Sequence, residues 1–276
     1  MTPGTKPKMM SSLERMLALL DLFTDAQPAW SVDEVAAKCG YTRSTAYRYV
    51  RELADAGLLT PAETGRYSLG PRIIELDRQL RTTDPLLRAM EALKPDLPLR
   101  SREQMWLLCR LFRDTVVCIE QIGQLRQGIS FSRGYPMPLF RGATSKAILP
   151  FLPERHLMRL YLDNPLLVND AGLGATWQEF KASLRQMRQQ GYAVSIGEVD
   201  DGVFGIAAPV LDANAKVIGS VSLVRPASQL DSVHWAEEGL ALIDIGKRLS
   251  AGMSDRVANG SGIDLETSDE RAEDTL

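Results

Sequence analysis

Apolar and polar positions in the first 70 residues predict three short helices and a hairpin. Capping boxes at Ser11-x-x-Glu14 and Ser31-x-x-Glu34 open the first two helices. Apolar residues at helical spacing follow each box: Leu13, Met16, Leu17 and Leu20 in the first helix, and Val32, Val35 and Ala36 in the second. Gly40 ends the second helix, and Thr42 caps a third over about residues 43–56. Residues 58–69 predict a β-hairpin with Arg66 at its tip.

The third predicted helix has one apolar face and one polar face. Ala46, Tyr49, Val50 and Leu53 share the first, and Ser44, Tyr47, Arg48 and Arg51 share the second. Arginine reads guanine edges or binds phosphates, and hydroxyl groups bind phosphate oxygens. The pattern is therefore typical of a helix-turn-helix that places this helix in a major groove, with the hairpin as a wing. The alternative is an ordinary helical bundle with a solvated basic face.

The remaining chain predicts a second, larger domain with buried strands. Apolar runs at 105–112 and 115–122 flank an Arg113-Asp114 turn, and 203–211 and 217–224 form a later hairpin. Helices are expected at about 144–152, 176–190 and 231–250. The fold class is α+β. We expect these parts along the chain: a flexible arm over 1–10, a winged helix-turn-helix over 11–70, linker helices over 71–93, a second domain over 94–250 and a disordered acidic tail over 251–276.

Composition narrows the classes of function. The chain is 45% hydrophobic and has no apolar run near the ~18 residues that a membrane helix needs, so no membrane partner is expected. Three cysteines do not form the even number that a disulfide framework needs, and the start of the chain lacks the apolar core of a secretion signal. Both features favour a cytoplasmic location. Two histidines are too few for a histidine-based metal site, and no cofactor is expected. The net charge of −3 does not exclude DNA, because residues 251–276 hold 7 acidic and 2 basic groups.

Three longer segments carry a family resemblance. GYTRSTAYRYVRELADAGLLTPAETGRYSLGPRIIEL, GYPMPLFRGATSKAILPFL and GYAVSIGEVDDGVFGIAAPVLDANAKVIGSVSLV resemble the IclR (isocitrate lyase regulator) family of bacterial transcription factors. The resemblance spans about residues 10–250. It implies a winged helix-turn-helix joined by a linker helix to a GAF-like mixed α/β effector-binding domain with a mixed sheet. It also implies a homodimer, or a dimer of dimers, on a palindromic DNA operator.

The resemblance adds positions to the polar face of the third helix. The candidate DNA-binding residues are Ser31, Thr42, Arg43, Ser44, Thr45, Tyr47, Arg48, Arg51 and Arg66. A sensing module that has lost DNA binding is an alternative, but the Arg43 and Arg48 face opposes it.

A candidate effector site begins at Gly142-Ala143-Thr144, where a helix starts. Free N–H groups at such a start can hold a carboxylate, although a glycine start with a Ser/Thr cap is an equally common explanation. The resemblance assigns pocket positions to Ser195, Val203, Gly205 and Ser222. Glu198 lies in the same loop and suits either a pocket or a capping role. We expect a small organic acid as effector.

An enzyme is the rival class of function. Its candidate groups are Lys146 as a nucleophile, Cys118 with His156 or His234, and Glu198, Asp200 and Asp201 as metal ligands. Cys118 lies in an apolar strand, His234 has no obvious acidic partner, and the three acids lack the ligand set of a metal cage. The sequence therefore favours a transcriptional regulator that senses a metabolite.

Overall fold

The computed structural model describes residues 10–98, 101–126 and 129–259. The chain divides into two compact units between Thr83 and Asp84. Residues 1–9 of the predicted arm lie outside the described residues.

The first unit is a winged helix-turn-helix. Its helices are α1 (Ser12–Leu17), α2 (Val32–Cys39), α3 (Arg43–Asp55) and α4 (Arg72–Thr83), with a 3₁₀ segment over Ala18–Leu22 and another over Glu63–Gly65. Its strands are β1 (Ala29–Ser31), β2 (Leu59–Pro61) and β3 (Arg66–Leu69), in the antiparallel order β1-β3-β2. The predicted hairpin is therefore confirmed, and the sequence pattern missed β1.

A small apolar core holds this unit together. Its buried residues are Leu19, Trp30, Val35, Ala46, Tyr49, Val50, Leu53 and Leu59. The apolar face predicted for α1 is partly wrong, because Leu13 and Leu17 are 69% and 53% exposed. The α-helix ends at Leu17, and the tighter 3₁₀ turn that follows directs Leu19 into the core instead.

The second unit contains six α-helices, three short 3₁₀ helices and six strands within its described residues. The helices are α5 (Pro85–Leu93), α6 (Ala143–Ile148), α7 (Glu154–Asp163), α8 (Pro165–Asp170), α9 (Trp177–Gln190) and α10 (Trp235–Asn259). The strands are β4 (Gln104–Phe112), β5 (Thr115–Gln124), β6 (Pro136–Met137), β7 (Ala193–Ile196), β8 (Val203–Leu211) and β9 (Val217–Pro226).

The six strands form one sheet in the order β6-β5-β4-β9-β8-β7. Every pairing between its described strands is antiparallel, so the expected mixed sheet is wrong. Hairpins join β4 to β5, β7 to β8 and β8 to β9, and neighbours joined by hairpins must run in opposite directions.

Both faces of this sheet are covered. Along β4, Leu107 and Cys109 face an apolar cluster that includes residues of α6, α7, α8 and α9. Trp106 and Leu108 point the other way, into a cluster with α5 and α10. Strands buried on both faces explain the continuous apolar runs in the sequence.

Two predicted boundaries differ from the observed ones. The predicted linker over 71–93 spans the division between the units, because Leu86, Met90 and Leu93 of α5 are buried in the core of the second unit. The predicted disordered tail over 251–276 is wrong for its first nine residues, since α10 continues to Asn259. Met253 packs against the core, which stabilises this extension. Residues 260–276 lie outside the described residues.

Candidate nucleic-acid interface and effector cavity

The turn between α2 and α3 is built by one glycine and one threonine. Gly40 ends α2 with φ of 67°, a left-handed conformation that favours glycine. The Thr42 hydroxyl then caps α3 by accepting a hydrogen bond from the Thr45 N–H at 3.2 Å. These two residues set the direction in which α3 leaves the turn.

The two faces of α3 are confirmed as predicted. Ala46, Tyr49, Val50 and Leu53 are buried. The opposite side is exposed and carries Thr42, Arg43, Ser44, Tyr47, Arg48 and Arg51. Tyr47 is 54% exposed. Thr45 is half-buried, and its hydroxyl accepts a hydrogen bond from Thr42.

Acidic residues of α2 approach this face from across the turn. Arg43 Nε lies 2.8 Å from Asp33 Oδ1, and the Arg66 guanidinium pairs with the Glu34 carboxylate. Glu34 also accepts a hydrogen bond from the Ser31 N–H, as the capping box requires. Hydrogen bonds from the Ser31 backbone and side chain, followed by the charge of Arg66, lower the pKa of Glu34.

The capping box predicted at Ser31 is present, whereas Arg66 does not lie where it was predicted. The Ser31 hydroxyl caps α2 by accepting from the Glu34 N–H at 3.2 Å. Arg66 is not at the tip of the wing: it begins β3 opposite Ser31, while the tip is the turn at residues 62–65. In the structure its charge is directed towards α2, because Glu34 binds it.

The second unit brings seven of the eight candidate effector residues around one cavity of about 30 Å³. These seven are Gly142, Ala143, Thr144, Ser195, Glu198, Val203 and Gly205. The sequence did not indicate the other lining residues: Phe131, Met137, Gly197, Val199, Asp200, Phe204 and Val224. Ser222 lies behind the lining, where its buried hydroxyl is 3.1 Å from the hydroxyl of Thr144. The cavity has room for about one water molecule.

The N–H groups that begin α6 are already bonded within the protein. Gly142 N–H donates to Glu198 Oε2 at 2.9 Å, and Ala143 N–H donates to Ser195 Oγ at 2.9 Å. The other carboxylate oxygen of Glu198 lies 2.7 Å from Lys146 Nζ. The side chain of Lys146 is only 9% exposed, so this ion pair is largely withdrawn from solvent.

The candidate enzyme groups do not assemble into a reactive site. Cys118 is buried, lies opposite Cys109 on β4, and its thiol donates to the Glu120 carbonyl at 3.4 Å. His156 Nε2 lies 2.5 Å from Asp114 Oδ1 on a surface that also includes Arg159.

The acids proposed as metal ligands have other partners. Glu198 binds Lys146, and Asp200 accepts hydrogen bonds from the N–H and hydroxyl of Ser130. Asp201 is exposed and is not among the residues that line the cavity. The described residues contain no group of three or more His, Cys, Asp or Glu side chains that could hold a metal ion.

Family models match both units. Residues 12–62 match the IclR helix-turn-helix domain, and residues 86–251 match the bacterial transcriptional regulator IclR C-terminal domain. The chain belongs to the IclR family. It is thus a helix-turn-helix transcriptional regulator with a separate C-terminal domain, and not an enzyme. No helix in the described part of this IclR-family chain is both long and apolar enough to cross a membrane.

Relatives of known name or structure extend over nearly the whole chain. The HTH-type transcriptional regulator XynR of Escherichia coli strain K12 is 26% identical over 242 residues, which cover 84% of this chain and 96% of XynR. An IclR transcriptional regulator from Alicyclobacillus acidocaldarius is 24% identical, with a TM-score of 0.71 over 89% of this chain and 99% of that one. An IclR homolog from Microbacterium hydrocarbonoxydans, solved with 4-hydroxybenzoate, is 22% identical, with a TM-score of 0.67 over 89% of this chain and 100% of the homolog. At these identities the two structures support the fold alone.

Proposed function

We propose that this IclR-family regulator binds a palindromic operator as a homodimer, or as a dimer of dimers, in the cytoplasm. Each subunit inserts α3 into a major groove, and a small organic acid in the cavity of the second unit changes the affinity for the operator.

The two-faced geometry of α3 carries the DNA-binding part of the proposal. Its buried side fixes the helix to the core, while Ser44, Tyr47, Arg48 and Arg51 project together on the exposed side. In this assignment Arg48 reads a base edge, and the hydroxyl groups of Thr42, Ser44, Thr45 and Tyr47 bind phosphates. Arg43 and Arg66 join them once DNA phosphates compete with Asp33 and Glu34, and Ser31 contacts the adjoining backbone.

The exposed apolar side chains of α4 support the dimer. None of its twelve residues is buried, and Ile74, Leu76 and Leu80 are 74%, 43% and 45% exposed. Apolar side chains in such numbers on one helix favour contact with another protein surface. The half-buried Ile73 lies on the same face as Leu76 and Leu80, at i, i+3 and i+7, whereas Ile74 points away from it. A second copy of α4 would cover this face and place two α3 helices in major grooves about 34 Å apart along the duplex.

The cavity supports an acidic effector. Backbone groups at the start of α6 and the hydroxyl groups of Thr144 and Ser195 lie on one side, and Phe131, Met137 and Val224 supply apolar walls. The two acids in the lining, Glu198 and Asp200, are bonded within the protein, to Lys146 behind the lining and to Ser130. This combination suits a carboxylate on a small apolar body. The aromatic carboxylate that was solved with the Microbacterium homolog has this chemistry. The present cavity of about 30 Å³ must widen to admit such a molecule.

Coupling between cavity and operator needs only a modest free energy. A coupling of ~1–3 kcal/mol, transmitted through residues 71–93, gives a useful switch.

The test of the proposed function is equilibrium binding of the full chain to DNA flanking its own gene and to scrambled DNA, each with and without benzoate or pyruvate. We expect a preference of about 10³ for the flanking DNA near physiological salt. Equal, weak binding to both DNAs in every condition would contradict the proposal.

A further inference from the structure

Glu198 lies in a short loop that closes one side of the effector cavity. The loop over residues 197–202 joins β7 to β8, and it begins and ends with glycines in the left-handed region, Gly197 at φ 62° and Gly202 at φ 78°. Val199 and Asp200 of the same loop also line the cavity. The loop therefore presents a carboxylate to the cavity from between two conformationally permissive residues.

The carboxylate of Glu198 lines the cavity and occupies two donors, the Gly142 N–H and the ammonium of Lys146, and Lys146 lies behind it, outside the lining. One of its oxygens accepts from Gly142 N–H at 2.9 Å, and the other lies 2.7 Å from Lys146 Nζ. A second carboxylate at the same donors would lie against Glu198, in a place where Lys146 is 9% exposed and Glu198 25% exposed. Two carboxylates that share the same donors, in a site that water hardly reaches, repel each other strongly.

We propose that Glu198 is an internal anion that a carboxylate effector displaces when it binds. The inference rests on the proposed function of the cavity and names the regulatory step in it. The effector's carboxylate takes over Gly142 N–H and Lys146, while Glu198 leaves with its loop and becomes solvated. Lys146 keeps an anionic partner in both states, so its buried charge is never left unpaired.

The exchange explains how so small a cavity admits a metabolite. Gly142, the first donor, also touches the loop, since a Cβ built there would lie 3.0 Å from Val199 Cγ2. Asp200, which also lines the cavity, anchors the other end of the loop by accepting from Ser130 N–H at 2.9 Å. Removing Glu198 from its donors releases the inner side of the loop, and the space that Glu198 and Val199 fill becomes part of the binding site. Effector binding is thereby converted into a change of loop conformation.

The decisive variant is Glu198→Gln in the full chain, with Asp201→Asn as the matched control. Both remove one negative charge from the same loop, but Asp201 is exposed and is not among the lining residues. The measurement is calorimetric binding of sodium acetate, pyruvate and benzoate at a constant ionic strength. Glutamine forms a weaker bond to Lys146 and does not repel an anion. We therefore expect Glu198→Gln to bind the best of these acids about tenfold more tightly than wild type, and Asp201→Asn to stay within about twofold.

Glu198→Gln leaves the buried Lys146 without its anionic partner and could destabilise the fold, so a double variant is the second test. Lys146→Met combined with Glu198→Gln removes both charges and leaves the backbone donors in place. It should bind the acid more tightly than wild type but less tightly than Glu198→Gln, because the cation is gone.

The movement of the loop has its own measurement. In wild type, a saturating concentration of the acid should speed amide hydrogen exchange over residues 197–202.

Three results would overturn the inference. They are unchanged or weaker acid binding by Glu198→Gln, no binding of any of the acids by either charge-deleted variant, or unchanged exchange in the loop. Operator binding of the same proteins, measured without acid, reports separately on the proposed function. A specific operator complex together with any of these three results would refute the exchange alone.

Discussion

Arg43 Nε lies 2.8 Å from Asp33 Oδ1, which ties the first residue of α3 to the first turn of α2. Both side chains are more than two-thirds exposed, so the pair contributes only about 0–1 kcal/mol to stability. Its main consequence is electrostatic. A carboxylate lies beside the surface that is proposed to meet phosphates, and we expect it to lower the affinity for DNA of any sequence by charge repulsion.

Removing this carboxylate should strengthen DNA binding. We expect Asp33→Asn to raise the affinity for operator and scrambled DNA alike by about twofold to fivefold at low salt, with a smaller gain at high salt. Asp170→Asn makes the same change of net charge on the exposed end of α8 in the other unit and should have no effect. Fluorescence anisotropy at two salt concentrations checks this, and a loss of affinity in Asp33→Asn would refute the electrostatic role.

Arg48 is the side chain on which base recognition should depend most. If it reads a base edge, Arg48→Ala weakens operator binding by ~1–3 kcal/mol and scrambled DNA binding much less. Arg88→Ala, at an exposed position on α5, deletes the same charge from the other unit and is the control. Competition gel shifts measure the ratio of the two affinities. An unchanged ratio in a folded Arg48→Ala protein would show that Arg48 does not read sequence.

The start of the second unit depends on one buried carboxylate. Asp84 caps α5 through the N–H groups of Leu86 and Leu87, and Arg110 of β4 binds both of its oxygens at 2.6 and 3.0 Å. Asp84→Ala removes the cap and leaves Arg110 without this partner, so we expect a loss of about 3 kcal/mol in the free energy of unfolding. Urea denaturation checks this, with Asp163→Ala as an exposed control on α7. A loss equal to that of the control would contradict the role of this contact.

Glu34 should make the stability of the first unit depend on acid pH. Its pKa is lowered in the folded protein, chiefly by the hydrogen bond from the Ser31 backbone, so the ionised form stabilises the fold. That contribution is complete above the usual glutamate pKa of about 4.3 and is lost as the pH falls through the lower folded value. Wild type should therefore exceed Glu34→Gln in melting temperature at pH 6, and the difference should shrink towards pH 3. A difference that is constant with pH would contradict this cause.

Local patterns were sufficient to predict the helix-turn-helix. Caps at Ser31 and Thr42, the glycine at position 40 and the alternation of faces along α3 all act within a few residues, so the sequence displays them directly. The strand β1 was missed because three residues show no period, and its partner β3 lies more than thirty positions later. The pairing of Asp33 with Arg43 was missed for a related reason: it depends on how the turn folds.

The sequence predicted half of the residues that line the candidate effector cavity and none of the bonds among them. The resemblance to the family supplied the positions that line it, including Ser195 and Gly205. The hydrogen-bond acceptor for the Gly142 N–H, however, is the carboxylate of Glu198, which is 56 residues away in the chain. Only the folded sheet brings the two together. For the same reason the sequence did not indicate Phe131 and Met137 as lining residues.

The most direct test of the account is the operator affinity of wild type, Ser222→Ala and Ala143→Trp as benzoate or pyruvate is added. Ala143 is buried beside the cavity and an indole there would fill it, while Ser222→Ala removes the hydroxyl that meets Thr144. The account predicts that acid changes the wild-type affinity by about 5–150-fold. Both variants should bind the operator normally without acid. Ala143→Trp should not respond to acid, and Ser222→Ala, which removes a hydroxyl behind the lining, should respond less than wild type. A response like that of wild type in both folded variants would contradict the claim that this cavity controls DNA binding.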